Sequence, residues 1–331
     1  MSPKDEQLAL FAEPPVSTCV EPSAHAIAAA LPPWVRLGTS TWTFPGWAGI
    51  VYAGKPSAAA LARSGLRAYA RHPLLRTVGI DRSYYGPLTR EDLAAYAAQL
   101  PPGFRAVSKV WEELTTFVFP AHPRFGDRAG QRNPRFLDPD VAKDEVLQPF
   151  ADAFAAHAGP FVFALPPSPE RPDPEPFARA IDRLLGAVRR DFPAFQIAFE
   201  LRARELLTPR YLATLRAHGA AHVLNFWGQM PTVREQLALP GVLDAPFVVS
   251  RLMLPPAVRY DDQRAEFAPF DRIVRAQPAM RADVVALARE CAALGPKEMW
   301  VLVNNKAEGS APLTVFALAE QIASALADRA S

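Results

Sequence analysis

The stretch Val35-Arg-Leu-Gly-Thr-Ser-Thr-Trp-Thr-Phe-Pro-Gly46 decides between the two folds that the rest of the chain allows. It begins as a short apolar run, which reads as a buried strand, and ends in a turn. A doubly wound open sheet would place a glycine-rich phosphate loop at that turn. Neither GxGxxG nor P-loop spacing is present. Outward from this stretch the same unit repeats. Apolar runs rich in Val, Phe and Ile recur at 35–41, 77–85, 105–110, 161–166, 196–202, 221–227, 247–254 and 299–305. Helices are predicted near 57–71, 89–99, 138–158, 174–190, 208–218, 231–239, 279–294 and 311–328. Start signals support several of them. Thr89 precedes Glu91 and Asp92, while Asp138 and Thr208 each stand before a proline suited to the first helical position. Eight strands, each followed by a helix, predict an α/β fold, a (β/α)8 TIM-type barrel, over residues 34–331.

Composition narrows the classes further. Of 331 residues half are hydrophobic and 21% charged, so a large core can form and wholesale disorder is excluded. Lys+Arg is 36 against 34 for Asp+Glu, which excludes a polybasic partner strategy but not a local basic patch. Two cysteines, Cys19 and Cys291, exclude a disulfide scaffold and a multi-cysteine zinc module. No run approaches the roughly 18 apolar residues needed to span a bilayer. The start Met1-Ser-Pro-Lys-Asp-Glu6 does not read as a signal peptide, so a cytoplasmic protein without membrane contact is expected. Residues 1–33 carry Pro3, Pro14, Pro15, Pro22, Pro32 and Pro33 without an amphipathic period, and read as a flexible arm.

In a barrel, chemistry sits at the carboxyl ends of the strands. Reading those ends gives three candidate catalytic residues, Asp81, Lys109 and Glu200. Candidate ligand-binding residues are Trp42, Tyr85, Arg202, Asn225, Arg251, Asn304 and Asn305. Two carboxylates on separate strands are the minimum for general acid–base work. A lysine desolvated beside arginines can act as a base or as an imine-forming nucleophile. Arginines with asparagines suit a phosphate or a carboxylate. The competing reading is that Lys109, Glu200, Arg202 and Arg251 pair with one another as a satisfied polar plug. No cofactor fingerprint is present. None of the six histidines stands at a strand's carboxyl end in HxH or HExxH spacing, so no metal site is expected, although a single Mg²⁺ held through water by Asp81 or Glu200 stays open.

Residues 111–137 form a long connection on the active face, with Arg124, Arg128, Arg132 and Arg135 among Phe117, Phe119, Phe125 and Phe136. Such a segment reads as a lid or packing flap, or as a surface for nucleic acid. In the arm, Gln7-Leu8-Ala9-Leu10-Phe11 resembles the QLxLF peptide by which bacterial replication and repair proteins dock on the DNA sliding clamp. There Leu8, Leu10 and Phe11 would anchor in an apolar groove and Gln7 would supply hydrogen bonds.

Several blocks resemble a known family in the same order. They are Gly38-Thr-Ser-Thr-Trp42 with Trp47, Thr77-Val-Gly-Ile-Asp-Arg-Ser-Tyr-Tyr85, Pro102-Gly-Phe104 leading to Lys109, Leu165-Pro-Pro167, Phe199-Glu-Leu-Arg202, Ser250-Arg251 and Val303-Asn-Asn305. They look like the YecE-like proteins, domain of unknown function 72, over residues 35–328. The resemblance implies a TIM-type barrel and no defined activity. The family's Val-Glu-Ile-Asn stands here as Val78-Gly79-Ile80-Asp81, its Thr-His as Thr115-Thr116, and its Arg-Leu-His-Gly as Arg251-Leu-Met-Leu254, the pattern of a divergent branch. Three functions are therefore expected in competition. One is a DNA-metabolism factor recruited to the clamp and binding a phosphate-bearing ligand or nucleic acid at the mouth. The second is a hydrolase or lyase acting on a phosphorylated or carboxylated small molecule. The third is a non-catalytic binding adaptor.

Overall fold

The computed structural model describes residues 15–255, 258, 260–295 and 297–328. Eight strands form among them: β1 (Val35–Thr39), β2 (Thr77–Ile80), β3 (Ala106–Lys109), β4 (Ala158–Ala164), β5 (Ile197–Glu200), β6 (Ala221–Trp227), β7 (Phe247–Leu254) and β8 (Glu298–Val303). Each pairs in parallel with the next, and β8 pairs with β1 from Val35↔Met299 to Thr39↔Val303, closing the barrel. The predicted (β/α)8 barrel is the observed fold. Parallel strands in a barrel are covered on both faces, which is why they read as unbroken apolar runs. β4, Ala-Gly-Pro-Phe-Val-Phe-Ala, is buried at every position.

Inside the barrel, Ala164, Ala198 and Ala221 share one apolar cluster with Val223, Val249 and the fully buried Trp300 ring. At the amino end of the strands, Arg36 and Arg105 lie over Trp300 at 4.9 and 5.2 Å and both pair with Glu298, at 3.1 and 3.0 Å. That end is covered by an ionic plug, while the carboxyl ends are where barrels of this kind place their chemistry. Between β1 and β2 two glycines allow close approach. A Cβ at Gly38 would lie 1.9 Å from the Thr77 carbonyl oxygen, and one at Gly79 2.6 Å from that of Ser40. The acid that the family pattern places at position 79 has no room in this chain.

Helices form where cap signals predicted them. Thr89 Oγ1 accepts the Asp92 N–H at 3.1 Å, Thr208 Oγ1 that of Tyr211 at 3.2 Å, and Asp138 Oδ1 that of Asp140 at 2.9 Å. The helix Pro174–Asp191 buries Phe177, Ile181, Leu184, Leu185 and Val188, a helical stripe facing the strands. No helix among the described residues is long and apolar enough to cross a membrane.

The reading of residues 1–33 as one flexible arm does not hold from residue 15 onward. Pro22–Ala30 is a helix that buries Ala24 and Ala28, and Leu31 follows it into the core. Arg76 fixes its carboxyl end by donating to the carbonyls of Ala28, Leu31 and Pro32, the last at 2.8 Å. An alanine-rich helix shows little contrast between its faces, so its sequence carries no visible period. Gln7, Leu8, Leu10 and Phe11 lie outside the described residues.

Candidate functional site

Side chains alternate along a strand, so Lys109, Glu200 and Arg251 share the inward parity of Val107, Ala198 and Val249, which line the interior. They meet at the carboxyl end of the barrel. Glu200 is wholly buried and Arg251 is 1% exposed. Arg251 donates to Glu200 Oε2 through Nη1, and its Nη2 stands 3.6 Å from Asp81, just past the end of β2. Arg202, two residues beyond β5, places Nη2 2.6 Å from Glu200 Oε1, in ion-pair range though without hydrogen-bond alignment. Its guanidinium stacks on Trp227, 3.6 Å from the ring centroid. Lys109 Nζ sits 3.3 Å above the Tyr84 ring.

Five charges therefore share one buried cluster, three cationic and two anionic. Burial alone would push the Glu200 carboxyl up; Arg202, Arg251 and Lys109 outweigh it and hold the group at about 2. Burial pulls the Lys109 ammonium down to about 8 from 10.5; Asp81 and Glu200 oppose that fall, and Arg251 and Arg202 add to it. Burial also raises the Tyr84 hydroxyl, so the ring under Lys109 stays neutral.

The self-paired plug is only part of what forms. Arg202 Nε and Arg251 Nη2 are buried donors without a hydrogen-bond partner. Arg202 also lines a cavity of about 320 Å³ formed by the loops after β3, β4, β5, β6 and β7. Its walls include Phe117, Pro166, Trp227 and Leu254, with Thr115, Arg171 and Ser168 as polar groups. The Ser168 hydroxyl oxygen is buried without a partner. On the other side of the cluster, Asp81 lines a groove of about 500 Å³ together with Trp42, Arg82 and Tyr96.

Five of the ten predicted site residues, Asp81, Lys109, Glu200, Arg202 and Arg251, are brought together. The other five make different contacts, Trp42 among them although it shares the Asp81 groove. Trp42 is 5% exposed, donates its indole N–H to the Leu61 carbonyl at 3.1 Å and packs edge-on against Tyr96. Tyr85 is 70% exposed, and it is Tyr84 that meets Lys109. Asn225 is buried and ties backbone to backbone, donating to Leu201 O at 2.7 Å while Gln236 brackets its own amide and carbonyl. Asn304 Oδ1 accepts the Lys306 N–H at 3.0 Å, capping the turn after β8. Asn305 Oδ1 accepts from the Trp47 indole at 3.2 Å and from the Ala311 N–H at 2.8 Å, which locks the last helix to the β1 loop. Tyr84 and Trp227, polar or aromatic residues at strand ends, join the site, as do Thr115, Ser168 and Arg171, which no strand end marks. Arg171 and Ser168 lie in a proline-rich loop whose path no local signal reveals.

The arginines of the 111–137 segment are paired, two within it and two with neighbouring elements. Arg124, Arg128, Arg132 and Arg135 pair with Glu112, Glu113, Glu170 and Glu145 and lie over the rings of Phe125, Phe119, Phe117 and Trp111. Its positive charge is therefore neutralised within the protein, in the manner of a packed flap beside the cavity. Among the described residues no group of three or more His, Cys, Asp or Glu side chains is placed to hold a metal ion.

Fold and mouth together define a TIM barrel with a buried ionic cluster at the carboxyl ends of its strands. The chain belongs to the DUF72 family: the model of "Protein of unknown function DUF72" matches residues 36–330. Two similar solved structures are DUF72 family proteins. One, from Enterococcus faecalis V583, has 18% identity and a TM-score of 0.59 over 87% of this chain and 95% of its own. The other, from Thermotoga maritima MSB8, has 17% identity and a TM-score of 0.55 over 88% and 99%. At that identity they share the fold. No curated protein matches the sequence.

Proposed function

We propose that the barrel mouth binds a small anionic ligand, carrying a phosphate or a carboxylate, and that Lys109 and Asp81 stand ready to move protons on it. The observation that carries this reading is Arg202: a buried guanidinium with an unpartnered Nε, fixed by Glu200 and Trp227, on the wall of a partly open cavity. A buried donor left without a partner costs about 1–3 kcal/mol, which an anion's oxygen would recover. The apolar walls favour a compact ligand over a polymer. Because the arginines of the 111–137 segment are already paired, a small molecule is favoured over a nucleic-acid backbone. Glu200 is a structural anion in this scheme, since both its oxygens face arginines. Titration calorimetry with inorganic phosphate and with citrate tests the reading. Binding by the wild type and a loss of at least about tenfold in Arg202→Met is expected; no heat with either anion would refute it. Recruitment to a DNA sliding clamp through Gln7, Leu8, Leu10 and Phe11 is a separate proposal that rests on the motif.

A further inference from the structure

Lys109 ends β3 and carries its amine at the carboxyl end of the barrel. Its two neighbouring carboxylates are both engaged by arginines: Glu200 faces Arg251 and Arg202, and Asp81 faces Arg251. No ion pair to Lys109 forms among the described residues. The amine instead lies on the Tyr84 ring, at 3.3 Å, and the residue is half-buried at the mouth. A primary amine with no carboxylate partner among the described residues, at the carboxyl end of a barrel strand and beside two guanidiniums, has the surroundings of a nucleophile rather than of a structural counter-ion.

We propose that Lys109 forms an imine with an aldehyde or ketone that also carries a carboxylate or phosphate, the anionic group being held by Arg202. This rests on the anion-binding reading above and names the substrate class. The neutral amine attacks the carbonyl carbon, and the carbinolamine loses its oxygen with the two amine protons as water, leaving a C=N bond to Nζ. No oxidant or reductant is needed. Glu200, held ionised between two arginines, cannot supply a proton at neutral pH. Asp81, whose side chain is 34% exposed, is the carboxylate able to pass one between solvent and the departing oxygen. The groups facing Lys109 are Asp81, Glu200, Arg202, Arg251 and Tyr84, and their balance with burial keeps the amine at about 8. At pH 7 about a tenth of it is neutral, on the order of 300 times the fraction of an ordinary lysine.

The chain has six lysines, so the adduct is easily located. The full-length protein is incubated with pyruvate or pyridoxal 5′-phosphate, or with the uncharged acetone and pyridoxal, then reduced with borohydride and mapped by mass spectrometry. Expected is one adduct on Lys109 with the anionic carbonyls. It should form at least about tenfold faster than at any other lysine, be slowed by inorganic phosphate, and be absent in Lys109→Arg with its thermal midpoint checked. No adduct, or labelling spread over other lysines, while the wild type still binds phosphate, would overturn the imine and leave the anion site standing. Equal labelling of Lys109 by charged and uncharged carbonyls, with no phosphate binding, would overturn both.

Discussion

Replacing Glu200 with glutamine keeps the side chain's shape and removes the charge on which the mouth is built. Arg251 would then retain only Asp81, at 3.6 Å, and Arg202 would retain no carboxylate among the described residues. Removing one partner from a buried ion pair typically costs about 3–5 kcal/mol, because the remaining charge stays buried and unpaired. For a chain of this size about 2 °C is lost per kcal/mol, so the thermal midpoint should fall by roughly 6–10 °C. The double variant Glu200→Gln with Arg251→Met removes charge from both sides and should lose less than the sum of the two single variants, with a coupling of about 2 kcal/mol or more. The pH dependence adds a second signature. Glu200 is held at about 2 in the folded protein, below its ordinary 4.5, so the stability it contributes is fully present above about pH 4.5. That stability is lost as pH falls toward 2, and the gap between wild type and Glu200→Gln should close over that window. Scanning calorimetry and urea melts at pH 7 and below measure all of this. A loss under about 1 kcal/mol for Glu200→Gln, or strict additivity in the double variant, would refute the claim that the cluster is held by Glu200.

His222 is buried between the Tyr211 hydroxyl and Gln236 Oε1, each at 3.1 Å, and burial pulls its pKa down to about 4. The unfolded chain takes up that proton first, near 6.5, so stability should fall by up to about 3 kcal/mol between pH 6.5 and 4; the urea midpoint of His222→Gln should vary less over that window. Gly79→Ala pushes a methyl to 2.6 Å from the Ser40 carbonyl oxygen and should cost about 1–3 kcal/mol or more, whereas Gly86→Ala meets nothing within 4 Å and should stay within about 0.5 kcal/mol in the same thermal assay. Truncating Leu10 and Phe11 to alanine should abolish calorimetric binding to a bacterial sliding clamp and leave the barrel's melting midpoint unchanged, since anchors of this kind are worth about 2 kcal/mol or more each; no binding by the wild type would end the recruitment proposal.

The barrel is legible in the sequence because its two determinants are local. Each strand is buried on both faces, so runs such as 161–166 and 247–254 stand out without any knowledge of partners. Several helix starts are marked by their own caps, as Thr89, Asp138 and Thr208 show. The Pro22–Ala30 helix is the counterexample. It is ordered by Arg76, some 45 residues further along the chain, whose guanidinium collects the carbonyls at the helix's end. Nothing within residues 22–30 announces that contact.

For the site, strand parity decides much but not all. Lys109, Glu200 and Arg251 lie inside strands at inward parity and meet, whereas Asn225 shares that parity on β6 and is spent on Leu201 and Gln236. Arg202 lies two residues past β5 and keeps its inward aim because Glu200 and Trp227 hold it. Trp42, Tyr85 and Asn305 lie three, five and two residues past the last residues of β1, β2 and β8. By those points the backbone has turned, and a new set of partners claims each side chain. Asn305 shows the mechanism most clearly: Trp47 and the amide of Ala311 use its carbonyl oxygen, so its polar group is spent on holding the chain. Composition at a strand end predicts which charges are available, but which carboxylate faces which arginine is decided by neighbours from three or four strands. That pairing is what sets the chemistry here. With Glu200 and Asp81 facing arginines, the surplus cation of the cluster is a lysine on an aromatic ring, so the cluster carries three cations against two anions instead of forming a neutral plug.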